Sequence, residues 1–502
     1  MDMASIYSQA PLRPHALVVP ALPHSHSLSA MRVARQLLAV GFDVSFIYFS
    51  SRPPPKLDTN TIASCSQDAA YMPLAIDAGI HTFILADGIP PQHLAKPFFS
   101  TPAMSDNLLH LILHLREQGR PPTCVVAHSF VPWTALVAQQ LGIPRIEFWT
   151  SNALSYLLNL NVSALCQANI FPEKGNGPPD WKSESPVMLD CIPCLPPVSA
   201  ELFPAPIRFD PEPSPFRALF KELCSSAKLS DRILVNTVSE LEPDAFRGLQ
   251  AMGIPVRAMA GPLLDYDIKV PKGPQEQGHN PGITAHEANG NSSSHVLETS
   301  KEDTSDSCLL WLDTQAESSV IYVAFGTVAK LSAEDVEELA MGLEASGHPF
   351  LWALRDDAHV KPGLRGKGMV TSWAPQVKVL AHKAVGGFVT HCGWNSSIEC
   401  LWEGVPMLGC PQLGDQRSNM WCMRELWGTG LEMKRTTSGG LQKAYVEAGV
   451  KALLEGEEGR TARKRAEEMK QVVRAACRED GESFRNMRQL YDDMKALISI
   501  SV

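Results

Sequence analysis

The chain has 502 residues, 44% of them hydrophobic and 20% charged, with a formal net charge of −10. That length sets a prior of two or three domains, and that composition supports an ordinary globular core. Diffuse acidity argues against a nucleic-acid or anionic-membrane partner; no apolar run approaches the ~18 residues of a spanning helix, and residues 1–14 lack the basic start and apolar core of a secretory signal, so a cytoplasmic monomer is expected.

The first element is the apolar run HALVV from His15, which reads as a strand buried on both faces. Met31, Ala34, Leu37 and Leu38 then recur at helical spacing, Gly41 is a helix stop, and residues 44–49 are a second strand. A βαβ unit therefore opens an α/β domain. Further strands follow from Cys124 (CVVAHSF), Pro144 (PRIEFWT) and Arg232 (RILVNTV), with a helix over 133–141. The domain closes near residues 259–264, which gives a first domain over 1–265.

Residues 267 to about 305 change character, being rich in Gly, Pro, Asn and Ser and nearly free of large apolar groups. Such a stretch cannot bury enough surface to offset its ordering entropy, so 266–306 is read as a flexible linker. A second α/β domain, 307–480, follows, with strands from Ser319 (SVIYVAFG), Pro349 (PFLWAL) and Gly386 (GGFVTH) and a helix over 335–345. Phe484, Met487, Tyr491 and Met494 recur at helical spacing, so 481–502 is an amphipathic helix expected to pack back on the first domain. Two doubly wound domains predict a cleft, with ligand at the carboxyl ends of the strands. Twelve cysteines show no repeating interval, and Cys191 and Cys194 in CIPC lack companion ligands. Reduced thiols and no metal site are expected.

The strongest chemistry lies in GGFVTHCGWNSSIECLWEGVPM from Gly386. A buried strand ends at His391, a turn contains Gly393, and a helix begins at Asn395 or Ser396, both good N-caps. A helix N-terminus at a strand's carboxyl end offers unpaired N–H groups and partial positive charge, a ready anion site. Gly393 lets backbone approach the anion, and His391, Asn395 and Ser396 add side-chain donors suited to a pyrophosphate. Glu399, one turn on, can accept from ribose hydroxyls.

Residues 373–416, WAPQVKVLAHKAVGGFVTHCGWNSSIECLWEGVPMLGCPQLGDQ, closely resemble the signature box of plant-type UDP-dependent glycosyltransferases acting on small lipophilic molecules. HALVVPALPHSHSLSAM, FWTSNA from Phe148, VNTVSELE from Val235, WLDTQ from Trp311 and YVAFGT from Tyr322 sit in the expected order, so the resemblance covers most of the chain. It implies a GT-B fold, two facing Rossmann-like domains, with the UDP-sugar on the C-terminal domain and the acceptor against the N-terminal one. By that likeness Trp373 stacks on uracil, Ala374 reads the base edge, and Gln376 and Glu399 hold the ribose. His391, Asn395, Ser396 and Thr327 bind the phosphates; Trp394, Asp415 and Gln416 contact the sugar, and Thr150 reaches it from the other domain. No cofactor is implied, since the UDP-sugar is a co-substrate, and variable loops around 85–105 and 155–205 are expected to shape the acceptor pocket.

Such enzymes invert, with an acceptor oxygen attacking the anomeric carbon as UDP leaves, and a histidine after the first strand acts as base. In the loop PALPHSHSL, residues 20–28, His26 matches that base and His24 is its competitor. The family orients the histidine with an aspartate in a Y-D-S-F-L-P-W type motif. Here AHSFVPW places His128 at that position. An imidazole cannot supply the negative charge that favours imidazolium; in triad enzymes neutralising the carboxylate costs about 10⁴ in rate, a known case. His128 is expected either to orient His26 as a neutral partner or to be a base itself, or the acceptor is acidic enough to need little help. Cys410 stands where the family has Trp, and repacking by its neighbours is expected. The reading is inverting transfer of a sugar, most simply glucose, to a hydroxyl or carboxyl of a small lipophilic acceptor; the alternative is a catalytically weak UDP-sugar-binding protein.

Overall fold

The computed structural model describes residues 13–21, 24–50, 79–86, 101–171, 187–209, 214–259, 301–326, 331–354 and 368–500. The expected linker up to residue 300, the domain closure at 260–265 and Thr327 lie outside these residues.

The N-terminal half is built on β1 (His15–Val19), β2 (Asp43–Ser50), β3 (Ile80–Ala86), β4 (Cys124–His128) and β5 (Arg145–Trp149). A two-residue hairpin follows, β6 (Met188–Leu189) and β7 (Val198–Ser199), and then β8 (Arg232–Val235) and β9 (Val256–Ala258). Seven of these form one parallel sheet in the order β3-β2-β1-β4-β5-β8-β9. The continuous apolar run of β1 has a direct cause. Ala16 and Val18 pack against Met31, Ala34 and Leu37 on one face, while Leu17 and Val19 pack against Leu108 and Ile112 on the other. A strand covered on both sides has no polar face to show.

The C-terminal half contains β10 (Val320–Ala324), β11 (Phe350–Ala353), β12 (Gly368–Thr371), β13 (Val385–Thr390), β14 (Met407–Gly409) and β15 (Gly430–Glu432). They form a second parallel sheet in the order β12-β11-β10-β13-β14-β15. In both sheets the strand order reverses beside the first strand, between β1 and β4 and between β10 and β13. These are the switch points at which open α/β sheets bind ligands. The fold is the doubly wound pair of the GT-B class.

The halves share a core, in which Trp149, Tyr156 and Leu241 of one meet Trp394, Met423 and Trp427 of the other. Two sequence expectations change at the boundaries. Residues Lys301–Asp313 are helical, with Cys308 and Leu312 fully buried, so the linker reading ran too far into a polar helix start. The helix Glu482–Ile500 lies on the N-terminal half, and Met487, Leu490 and Met494 join the core around Phe42. Asn486 Nδ2 donates to the Ala258 carbonyl at 2.7 Å, and Arg232 pairs with Asp493. Phe484, read as part of the buried stripe, is instead exposed.

Candidate active site

β1 delivers the chain into the helix His24–Val40, so His26 sits in a first helical turn and not in a loop. The His24 side chain lies outside the described residues. β4, the neighbour of β1, ends on His128. The strand pairing thus brings together two residues 102 apart in sequence, with His26 Nδ1 2.8 Å from His128 Nε2. Their rings meet edge to face at 84°. On the far edge of His128, the Phe130 backbone N–H donates to Nδ1 at 2.9 Å. Thr150, just past the end of β5, places Oγ1 3.4 Å from His26 Nδ1 and 3.3 Å from His128 Nε2. Phe130 and Phe148 flank the pair. Burial pushes His26 down to about 4 and His128 well below its ordinary value, the latter helped by its neighbours His26 and Arg145. Both rings are neutral at physiological pH.

Across the cleft, β13 ends at Thr390 and the helix Trp394–Glu403 starts with Gly393 as its N-cap. Asn395 and Ser396 therefore lie inside the first turn instead of capping it. Gly393 has no side chain to cap with, so the first N–H groups of the helix are left without a side-chain cap. The left-handed residue of the turn is Cys392, at φ 65°, whereas Gly393 has an ordinary helix-entry φ of −63°. Glycine is needed at 393 for another reason: a Cβ there would stand 2.4 Å from His391 Nε2. A Cβ on Gly326, two residues past the end of β10, would stand 2.7 Å from the same nitrogen. Two glycines therefore form the slot that holds the His391 ring. Burial pushes His391 down to about 4, which keeps it a neutral donor.

Beside the slot, Gln376 Nε2 donates to Glu399 Oε2 at 2.7 Å and to Ser396 Oγ at 2.9 Å, and Tyr322 OH donates to Gln376 Oε1 at 3.3 Å. Arg32 of the N-terminal half stands 3.7 Å from Glu399. Asn395 Nδ2 is 3.5 Å from Ser29 Oγ, again across the cleft. Trp373 is 41% exposed next to buried Ala374, so its ring is no core anchor and keeps a surface for stacking.

The residues expected at the sugar each have protein partners. The Trp394 indole is buried and donates from Nε1 to the Asn236 carbonyl at 2.6 Å, so the ring fastens the two halves. Asp415 accepts from Ser151 and, at 3.1 Å, from Asn419 Nδ2. Gln416 Oε1 accepts from the Gln412 and Leu413 backbone at 2.8 and 2.9 Å, which leaves its amide nitrogen as the end for a ligand. Cys410 is fully buried and receives Arg435 Nη2 at 3.1 Å, so a guanidinium packs where a larger ring would stand. Sequence reading assigned no role to Arg32, Ser151, Asn236 or Asn419. Ser151 lies in the quoted FWTSNA, but its partner is 264 residues away and local pattern cannot pair them. Among the described residues no three His, Cys, Asp or Glu side chains converge as a metal site, and Cys191 and Cys194 are exposed free thiols.

Two sheets, each with its ligand-prone reversal point turned to the other, are the architecture of a GT-B glycosyltransferase. A family model described as UDP-glucoronosyl and UDP-glucosyl transferase matches residues 295–458. UDP-glycosyltransferase 85A2 of Arabidopsis thaliana is 30% identical over 486 residues, 92% of this chain and 93% of the relative. Anthocyanidin 3-O-glucoside 5-O-glucosyltransferase 1 of Perilla frutescens is 31% identical over 481 residues, 92% of this chain and 95% of the relative. A UDP-glucosyltransferase from Polygonum tinctorium capable of glucosylating indoxyl, solved with 3,4-dichloroaniline, matches with a TM-score of 0.77 at 26% identity, covering 97% of this chain and 99% of that one. The chain belongs to the plant UDP-glycosyltransferase family and is a glycosyltransferase. Among the described residues no helix is long and apolar enough to cross a membrane.

Proposed function

We propose that the protein transfers glucose from UDP-glucose, with inversion, to an oxygen of a small lipophilic acceptor, giving a β-glucoside. The observation that carries this reading is the donor-side array facing the histidine pair: exposed Trp373, the Gln376–Glu399 contact, and His391 in its glycine slot beside an uncapped helix start. Trp373 stacks on the uracil and Glu399 with Gln376 holds the ribose. The helix N–H groups and neutral His391 receive the charge that develops on the diphosphate as the bond to the anomeric carbon breaks. Asp415 and the Gln416 amide take sugar hydroxyls, and Thr150 closes the site from the acceptor side. Glucose is supported by the Asp415–Gln416 end of the box and by relatives whose names are those of glucosyltransferases.

The test is calorimetric titration with UDP and UDP-glucose, followed by UDP release with a panel of phenols, acids and alcohols. The expected result is binding with turnover on part of the panel. Failure to bind UDP overturns the donor assignment, and binding with no turnover on any acceptor leaves a nucleotide-sugar-binding protein.

A further inference from the structure

The proton count of the histidine pair decides what kind of acceptor the site can use. His128 Nδ1 accepts the Phe130 backbone N–H at 2.9 Å, so that nitrogen carries no hydrogen. A neutral His128 must then carry its one proton on Nε2, the atom that faces His26 Nδ1 at 2.8 Å. Were His26 also protonated on Nδ1, two N–H groups would point at each other across that gap. Reversing the bond would require His128 to be an imidazolate, a form ordinary imidazole does not reach in this pH range. Thr150 does not change the count, because its hydroxyl, 3.4 Å from His26 Nδ1 and 3.3 Å from His128 Nε2, can add a donor or an acceptor but moves no ring proton.

We infer that His128 locks His26 in the Nε2–H tautomer, so that His26 donates a hydrogen bond on its far edge instead of taking a proton, and that the acceptor is one that enters as an anion, a carboxylic acid above all. Resting on the transferase reading above, the step balances without a base. A carboxylate oxygen attacks the anomeric carbon and forms the new C–O bond. The bond from that carbon to the β-phosphate oxygen breaks, and its electron pair leaves with UDP. No proton is released, and the product is a sugar ester. A neutral alcohol would have to lose a proton to a nitrogen that already holds one. His128 is a positioning residue here. It sets which edge of His26 is a donor.

The inference is tested on the intact protein in two ways. Long-range proton–nitrogen NMR with labelled histidine assigns the His26 tautomer. Nε2–H is expected in the wild type and Nδ1–H in His128→Asp, where a carboxylate becomes the acceptor. Nδ1–H in the wild type would overturn the inference whatever the variant does. In parallel, UDP release is compared for a carboxylic acid and the corresponding primary alcohol. The wild type is expected to favour the acid by at least about 100-fold in kcat/KM, and His128→Asp to raise the alcohol rate at least about tenfold. Equal wild-type rates on acid and alcohol sink the inference while leaving the transferase assignment intact; absence of UDP binding sinks that assignment instead.

Discussion

The Ser151 hydroxyl, on the N-terminal half, donates to the carboxylate of Asp415 on the C-terminal half. Asp415 is drawn into the interface by this contact and by Asn419, and burial pushes its carboxyl up from the usual range while both donors pull it back. The carboxylate proposed to hold the sugar is therefore supported from the opposite domain. Ser151→Ala removes one bond to a charged acceptor, a loss of about 1.5–3 kcal/mol. The expected outcome is a KM for the UDP-sugar raised by about 10- to 100-fold at saturating acceptor; an unchanged KM in steady-state kinetics would show that Asp415 needs no such support.

Gly393→Ala introduces no backbone strain, since the φ of this N-cap residue is −63°. Its Cβ would nonetheless meet His391 Nε2 at 2.4 Å and push the ring out of its slot. Overpacking of this kind costs about 1–3 kcal/mol, here taken from ligand binding. UDP affinity by calorimetry is expected to fall about tenfold or more, and affinity equal to the wild type would remove His391 from the diphosphate site.

Trp373→Ala separates binding from folding. The side chain is 41% exposed, so its loss should leave the thermal midpoint unmoved. Base stacking on an aromatic side chain is worth about 1–3 kcal/mol, so UDP should bind about 5- to 150-fold more weakly. A lowered melting temperature with normal binding would return this ring to a structural role.

Much of the architecture could be read from hydrophobic runs because both sheets are parallel and covered on both faces, which turns β1, β4, β10 and β13 into unbroken apolar stretches. The edge and near-edge strands β12, β14 and β15 left no such mark, being three or four residues long and, in β12, only half-buried. The strand–turn–helix from Val385 to Glu403 was legible because its residues are close in sequence, so a local motif carries its geometry. The interdomain role of the Trp394 indole went unseen because what it touches, the Asn236 carbonyl, is 158 residues away. His128 stood out by its chemistry, yet only the Phe130 N–H on its other edge reveals where its proton is.

Acidity should weaken the fold through the same histidines. His26 and His391 are held near 4, while in the unfolded chain they titrate near 6.5. Between those values the unfolded chain binds protons that the native state refuses, so stability is intact above 6.5 and falls as pH drops towards 4. A thermal-melt series from pH 7.5 to 4 should show that decline, and it should be shallower in His391→Gln. An identical slope in the variant would exclude His391 from the linkage.

The arginine–glutamate pair inside β5 is a stability element. Arg145 Nη1 contacts Glu147 Oε2 at 2.7 Å with both side chains fully buried, and Tyr156 OH donates to Glu147 Oε1 at 2.7 Å. Arg145→Met would leave that carboxylate buried without its cation, a loss of about 3–5 kcal/mol. Denaturant titration should show it, and a variant as stable as the wild type would mean that this pair contributes nothing to stability.

The helix Glu482–Ile500 closes over Phe42 although the whole C-terminal half separates the two in sequence. During synthesis, when domains ordinarily fold from the N-terminus as they emerge, the first β-α-β unit must wait with an apolar face open until residues 482–500 leave the ribosome. A nascent chain stalled before that point would be an aggregation-prone species, and a shortened gene product ending there would be a substrate for chaperones and proteases however complete its nucleotide pocket.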